Sequence, residues 1–398
     1  MKVVQTVFGK FHHFDLARQL HQYDMLEAIF TAYPRWKLHG EELPAAKIKT
    51  FPWVQTLLMG KWRYGFINPW IDRELSWLMA ETLDAHVASR LPECDVFIGI
   101  SGSGLRTSRI AKARGRKYIC DRGSSHVRFA DRLLDEEFKR WGQSFVGIDP
   151  RALAKEEQEY ASADIITLPS RFCVRSFLEM GINPAKIRRI PYGVELNRFR
   201  QQGTPPSEAF EVLFVGQVSF RKGFPYLLAA FQRLKHPRKR LRVVGAMQPE
   251  LKIFLQDKHL DDIEFLGSIP QAQLAAIMST SHVMVLPSIE DGFGLVIGQA
   301  MACGCPVICS QNTGGEDVFQ DRREGFIIPI RDASTLAQNL EQLCQDRPLR
   351  NRMGEAAIRR VKTLGGWNEY GRQYRELCVE LAGLSATHSQ FRSEDPNE

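Results

Sequence analysis

No stretch of this 398-residue chain reaches the ~20 consecutive apolar residues that a membrane-spanning helix needs. The longest apolar-looking window, around 293–309, is broken by Gln299, three glycines and a proline. The start does not read as a secretory leader either: Met1 to Phe8 is a strand, too short to be a signal peptide and succeeded by residues too polar for one. Cysteine is sparse and scattered (Cys94, Cys120, Cys173, Cys303, Cys305, Cys309, Cys344 and Cys378), without zinc-ribbon spacing. Cys303-Gly-Cys305 lacks the two-residue spacer of a redox or metal pair, so the thiols are read as reduced packing residues of a cytoplasmic protein. No repeat of fixed period is evident. No basic stripe with interleaved stacking aromatics argues for nucleic acid. What is present is a globular composition, 44% hydrophobic and 25% charged. The length exceeds one ordinary core and suits two domains of fewer than 200 residues each. A net charge of +7 and a pI near 9.0 favour anionic partners: nucleotide diphosphates, lipid phosphates, or an anionic membrane met peripherally at its inner face.

Two halves of alternating strands and helices meet at the polar, turn-rich segment 201–209, Gln-Gln-Gly-Thr-Pro-Pro-Ser-Glu-Ala, which reads as a linker. The first half, 1–200, opens on strand 2–8 and carries strands at 95–100 and 117–120. The second, 210–365, opens on strand 211–215 and carries another at 241–244. A C-terminal helix over 366–384 is expected to pack back on the first domain, and 385–398 is expected to be disordered. Strands alternating with helices imply parallel sheets whose ligands gather at the carboxyl ends of the strands, so the expected class is α/β: two doubly wound Rossmann-like domains facing a cleft.

The most informative segment is Leu286 to Ile308. Strand 283–286 runs into an acidic turn, a short helix of small residues comes next, and Gly304 and Pro306 end it before strand 307–309. Gly292 and Gly294 would let backbone approach a ligand, and the unpaired N–H groups at the following helix start favour a phosphate there. Asp291 and Gln299 lie eight residues apart across turn and helix. In a second glycine-bounded turn, Gly216-Gln-Val-Ser-Phe-Arg-Lys-Gly223, two cations sit at a helix start, out of place unless an anion joins them.

Asp291-Gly-Phe-Gly-Leu295 and Gln299-Ala-Met-Ala-Cys-Gly-Cys-Pro-Val307 resemble the signature of the retaining family-four (group 1) glycosyltransferases of GT-B architecture, most clearly over 161–365. Two departures stand out: Asp291 holds the place of a glutamate, and Gln299 that of the second glutamate. The resemblance implies that Asp291, with Glu290 able to share its role, meets donor-sugar hydroxyls, and that Gln299 meets the nucleotide ribose without the charge-assisted part of that bond. It also implies that Lys222 grips the diphosphate. Gln217 stands where the family has arginine, and Arg221 is expected to supply that charge from a shifted place. Gly216, Phe293 and Leu295 complete these donor loops. Gly267, Ser268 and Ile269 fall where the family contacts the base, and Gly314 and Gly315 where backbone amides meet the sugar or its phosphate. Gly9 follows the first strand at the position of the family's glycine loop, with His12 and His13 on the acceptor side. His126, after strand 117–120, corresponds to the family's histidine near the transferred sugar.

The resemblance therefore implies a transferase moving a sugar from a nucleotide-diphosphate donor to a hydroxyl on a glycan or lipid-linked glycan, in polysaccharide or glycolipid synthesis. No metal or other cofactor is expected, in keeping with the absence of an Asp-x-Asp pair. A non-catalytic nucleotide-sugar sensor, an epimerase or a phosphorylase could share the architecture. The Trp-rich stretch 51–77 (Trp53, Trp62, Trp70 and Trp77, with Lys61, Arg63 and Arg73) fits a membrane interface or an apolar acceptor, with burial in the first domain the favoured expectation.

Overall fold

Residues 1–63 and 68–383 are described by the computed structural model. The tail expected to be disordered, 385–398, and the side chains of Lys61, Trp62 and Arg63 lie outside what it describes. Thirteen parallel strands form two sheets among these residues. The first contains β1 (Val3–Val7), β2 (Leu26–Thr31), β3 (Ile48–Thr50), β4 (Val96–Ile100), β5 (Lys117–Asp121), β6 (Ile165–Leu168) and β7 (Ile187–Arg189), in the order β3-β2-β1-β4-β5-β6-β7. The second contains β8 (Phe210–Val215), β9 (Lys239–Val244), β10 (Ile263–Gly267), β11 (Val283–Leu286), β12 (Val307–Ser310) and β13 (Gly325–Ile328), in the order β10-β9-β8-β11-β12-β13.

Strand β8 reads Phe-Glu-Val-Leu-Phe-Val and is buried at every position, and β1 is buried throughout as well. Burial on both faces is what a parallel sheet covered by crossover helices requires, and it explains why these strands read as near-continuous apolar runs. In the second sheet Phe210, Val212, Phe214, Val283, Val285 and Ile308 share one core with Leu227, Phe231, Leu336 and Leu340 of the covering helices. Both sheets reverse their direction of growth next to the first strand of the set, between β1 and β4 in one and between β8 and β11 in the other. They are doubly wound and Rossmann-like, as expected.

The chain packs as two compact units. One gathers Met1–Cys120, Gln158–Asp164 and the residues from Gly371 on; the other gathers Asp121–Glu157 and Ile165–Tyr370, with segment 201–209 inside it. Within the first unit, the later part of the last helix (Gly366–Leu381) lies on the first helix (Phe11–Gln22). A Cβ on Gly371 would sit 2.4 Å from that of Gln19, and Arg375 covers the Tyr23 ring at 5.2 Å.

The expectation of buried tryptophans fails for Trp53 and Trp70, while Trp77 is half-buried. Trp53 and Trp70 are exposed, on helices Trp53–Arg63 and Pro69–Ser89. Large aromatics usually go inside, but here the core beneath these helices is filled by Leu58, Leu83 and Val87. None of the eight cysteines is disulfide-bonded, and all but Cys344 are buried. Among the described residues no helix is long and apolar enough to cross a membrane.

Candidate functional site

Because the second sheet is parallel, the loops after β8, β10, β11 and β12 all leave its carboxyl edge. The reversal between β8 and β11 lays the loops 216–223 and 287–295 side by side at the switch point, where ligands of such sheets gather. Those two loops hold the charges singled out in the sequence. Gly223 takes a left-handed conformation (φ +68°) at the start of helix Phe224–Arg233, and a Cβ there would lie 2.0 Å from the Pro287 carbonyl oxygen. Only glycine permits that approach. It brings the two loops into register, so that the Ile289 amide donates to the Arg221 carbonyl at 2.9 Å.

Two ion pairs result. Arg221 Nε donates to Glu290 Oε2 at 2.9 Å, and Lys222 Nζ meets Asp291 Oδ2 at 2.5 Å. The anion that these cations call for is supplied first by the protein's own carboxylates. Glu290 is fully buried, and its other oxygen, Oε1, accepts from the Ser124 hydroxyl (2.6 Å), the Ser125 hydroxyl (2.8 Å) and the Ser125 amide (3.2 Å). Burial alone would raise its pKa. The Arg221 charge and the serine donors outweigh burial and hold the carboxyl at about 2. Glu290 is thus a fixed negative charge locking Arg221 in place. Asp291 and Lys222 keep only a small part of their side chains exposed, 13% and 14%.

Loop 311–315 is sewn to the same edge. The Asn312 amide group donates to the Ile289 carbonyl at 2.8 Å, and the Asp291 N–H donates to the Asn312 carbonyl at 3.1 Å. Gly314 and Gly315 differ from expectation. The Gly314 N–H donates to the Phe293 carbonyl (2.8 Å) and the Gly315 N–H to Thr313 Oγ1 (3.2 Å), so both amides serve the loop rather than facing a ligand. Gly292 differs in the same way. A Cβ there would stand 2.0 Å from the Gly123 carbonyl oxygen, so the close approach that demands glycine is to backbone of the 121–126 loop. The Ser170 hydroxyl, at 2.6 Å, also donates to the Gly292 carbonyl. Gly294 and Leu295 complete the turn before a helix of only seven residues, Val296–Ala302, within which Gln299 is half-buried and forms no side-chain hydrogen bond among the described residues. Gln217 is exposed after β8, and Gly267 and Ser268 are exposed after β10 with Ile269 half-buried, all on the same edge.

His126 sits at the other side of the 121–126 loop. It is buried, caps helix Val127–Arg140 by accepting the Arg128 N–H on Nδ1 (3.2 Å), and meets the Phe177 ring edge-on at 5.0 Å. Burial lowers its pKa to about 4, with Arg122 and Arg128 acting in the same direction and Glu157 and Glu156 against it, so the ring is neutral. The loop's contribution to the charged switch point comes instead from Ser124 and Ser125, which the sequence reading passed over. Two consecutive hydroxyls just past a strand end were the available signal. In the first unit, Gly9 comes after β1 at the corresponding switch point; its carbonyl accepts from Thr31 Oγ1 at 3.2 Å, and His12 and His13 are buried behind it with rings 4.6 Å apart. The Ser101–Gly104 turn after β4 is occupied from within, since Glu159 accepts the Gly102 and Gly104 amides.

A doubly wound sheet whose switch-point loops carry two cations beside two carboxylates has the build of a nucleotide-binding Rossmann-like domain. Comparison with known proteins narrows this: residues 196–360 match the family described as glycosyl transferases group 1. Among curated relatives, the D-inositol 3-phosphate glycosyltransferase of Streptomyces bingchenggensis is 30% identical over 275 residues, 63% of this chain and 56% of the relative. The putative colanic acid biosynthesis glycosyltransferase WcaL of Escherichia coli is 25% identical over 48% of this chain and 50% of its own length. The chain thus spans about half the length of these relatives. Among solved structures, sucrose-phosphate synthase from Thermosynechococcus elongatus aligns with a TM-score of 0.73 at 21% identity, covering 97% of this chain and all of that one. HepE from Anabaena, solved with UDP and glucose, aligns at 0.68 and 16% identity, covering 96% of this chain and all of that one. The fold is GT-B.

Proposed function

We propose that the protein is a retaining glycosyltransferase that moves a sugar from a nucleotide-diphosphate donor to a hydroxyl of a glycan or lipid-linked glycan, without a metal ion, at the cytoplasmic side of the cell. The observation that carries this is the meeting of Arg221 and Lys222 with Glu290 and Asp291 at the switch point of the second sheet. A diphosphate entering there takes Lys222 from Asp291, and Asp291 is released toward the donor's sugar hydroxyls. Arg221, held by Glu290, supplies a second fixed positive charge. As the donor bond breaks, negative charge grows on the leaving diphosphate, and each well-placed donor stabilises it by about 3 kcal/mol. The acceptor hydroxyl attacks from the face that the diphosphate leaves. Gln299 meets the ribose, and the loop 267–269 meets the base. The relatives' names, which include an inositol phosphate glycosyltransferase and a colanic acid glycosyltransferase, support a polyhydroxylated acceptor.

The test is turnover. Purified protein is incubated with a panel of nucleotide sugars and mixed acceptors, with and without chelator, and the anomeric configuration of the product is read by NMR. Inverted product or chelator-sensitive turnover overturns the mechanism. A second reading, nucleotide-sugar binding without transfer, is favoured by Gln217 and Gln299 standing where the family has charged residues; stabilisation by nucleotide with no product from any acceptor would establish it. Sugar interconversion without acceptor would identify an epimerase.

A further inference from the structure

Glu137 is a carboxylate with no exposed surface, and nothing in the proposed transfer uses it. It lies near the end of helix Val127–Arg140, in the same compact unit as the second sheet. Three donors meet it: Trp141 Nε1 (2.7 Å) and the Tyr226 hydroxyl (2.8 Å) on Oε1, and Arg331 Nε (2.7 Å) on Oε2. A buried charge is tolerated only when paired and hydrogen-bonded, so this carboxylate ties its helix to Tyr226 on helix Phe224–Arg233 and to the loop after β13. Arg331 reaches it from a left-handed backbone (φ +63°), a conformation that residues with a Cβ seldom hold unless their surroundings impose it.

What this helix grips is the residue just ahead of each charged pair. Phe220, immediately before Arg221 and Lys222, stacks on the Trp141 ring (centroids 6.0 Å apart, planes 7° from parallel) and meets Phe138 edge-on at 5.2 Å. Ile289, immediately before Glu290 and Asp291, is fully buried in a cluster with Leu133 and Tyr226. We infer that Glu137 is a positioning residue for the diphosphate site: it touches no ligand, and by holding helix Val127–Arg140 against Phe220 and Ile289 it fixes the places of the cation loop and the carboxylate loop together. The inference rests on Arg221 and Lys222 being the groups that meet the diphosphate. Packed rings and aliphatic chains alone can slide; a carboxylate with donors from two further elements sets one register.

The experiment pairs hydrogen–deuterium exchange of the ligand-free full chain with calorimetric titration of UDP, GDP and ADP. Glu137→Gln keeps the volume and an oxygen for Trp141 and Tyr226 but not the charge, which leaves Arg331 only Glu136 at 3.5 Å. Amides of 220–223 and 289–291 are expected to exchange at least about tenfold faster than in wild type, and affinity for whichever nucleotide wild type binds is expected to fall at least about tenfold. Tyr226→Phe, which deletes one hydroxyl, is expected to move both readouts the same way by less, and it decides the matter if Glu137→Gln does not fold. Leu83→Ala, in the core of the first unit, is the control that lowers the melt and moves neither readout. Exchange in the two loops that is unchanged, or raised equally by Leu83→Ala, overturns the inference, as does faster exchange with undiminished affinity. A wild type that binds none of the three refutes the diphosphate reading and with it Glu137's service to a diphosphate, while the exchange comparison still decides whether Glu137 orders the two loops.

Discussion

Replacing Glu290 with glutamine removes one charge and almost no volume, and it isolates the strut that holds Arg221. In the native chain the Glu290 pKa falls from the ordinary 4.5 to about 2, which corresponds to about 3 kcal/mol favouring the ionised, folded form. Glutamine keeps an oxygen for the Ser124 and Ser125 donors but cannot pair with Arg221. Leaving one member of a buried pair alone costs about 3–5 kcal/mol. Here 37% of the Arg221 side chain is exposed and water recovers part of that, so the expected cost is about 2 kcal/mol. Arg221→Gln costs less, because Glu290 retains its three serine donors, and the two changes together cost less than their sum by about 1–2 kcal/mol. The assay is urea unfolding at neutral pH, followed by far-UV circular dichroism and tryptophan fluorescence so that non-coincident transitions are detected. The pH sign comes from the depressed pKa. The native advantage over Glu290→Gln is fully present above the unfolded carboxyl's 4.5 and disappears as pH falls toward 2. A Glu290→Gln protein within about 0.5 kcal/mol of wild type at neutral pH, or a gap unchanged near pH 3, would refute the strut.

Lys222→Ala should weaken nucleoside diphosphate binding at least about tenfold, read by calorimetry, and should lower the melt of the free protein because it leaves the largely desolvated Asp291 unpaired; undiminished affinity removes Lys222 from the phosphate site. Gly292→Ala drives a Cβ to 2.0 Å from the Gly123 carbonyl and should cost about 3 kcal/mol in unfolding free energy, a loss that Gly40→Ala, whose Cβ would meet nothing within 4 Å, should not show despite its own positive φ. His126 is neutral down to about pH 4, so wild type should lose stability relative to His126→Asn, which keeps the cap, as pH falls from the unfolded 6.5 toward 4. A pH-rate profile with an inflection near neutrality that His126→Asn abolishes would contradict a neutral, capping His126.

Much of this was legible before the structure. The apolar runs at 211–215 and 283–286 are covered on both faces, so they read as strands without any alternation to find. The glycine-bounded turns that come after them fixed the places of Arg221, Lys222, Glu290 and Asp291. What sequence could not supply was who pairs with whom. Gly292 reads identically whether its missing Cβ makes room for a ligand or for Gly123, and the Gly314 and Gly315 amides read as free until the 289–293 loop is laid beside them. Ser124 and Ser125 stand 165 residues or more from Glu290 in sequence, beyond any local pattern. Trp53 and Trp70 failed for a simpler reason: large aromatics usually go inside, and that tendency does not say which side chains fill a particular core, here Leu58, Leu83 and Val87.

Arg221 and Lys222 are balanced by Glu290 and Asp291, so donor binding as proposed is an exchange of partners rather than an attraction of opposites. A nucleoside diphosphate that claims Lys222 must leave the Asp291 carboxyl largely desolvated, with no positive neighbour at contact distance. An intact nucleotide sugar brings hydroxyls that donate to Asp291 and removes that cost. If the donor enters here as proposed, the site selects for donor over spent nucleotide, by an amount set by how poorly an unpaired Asp291 is tolerated. Asp291→Asn tests this directly. With the carboxylate gone, Lys222 is free before binding, and affinity for the bare nucleoside diphosphate should rise severalfold while affinity for the nucleotide sugar does not. The ratio of the two dissociation constants, measured by calorimetry on wild type and variant, should contract. If Asp291→Asn weakens both ligands equally, Asp291 holds the pocket's shape and the exchange does not occur.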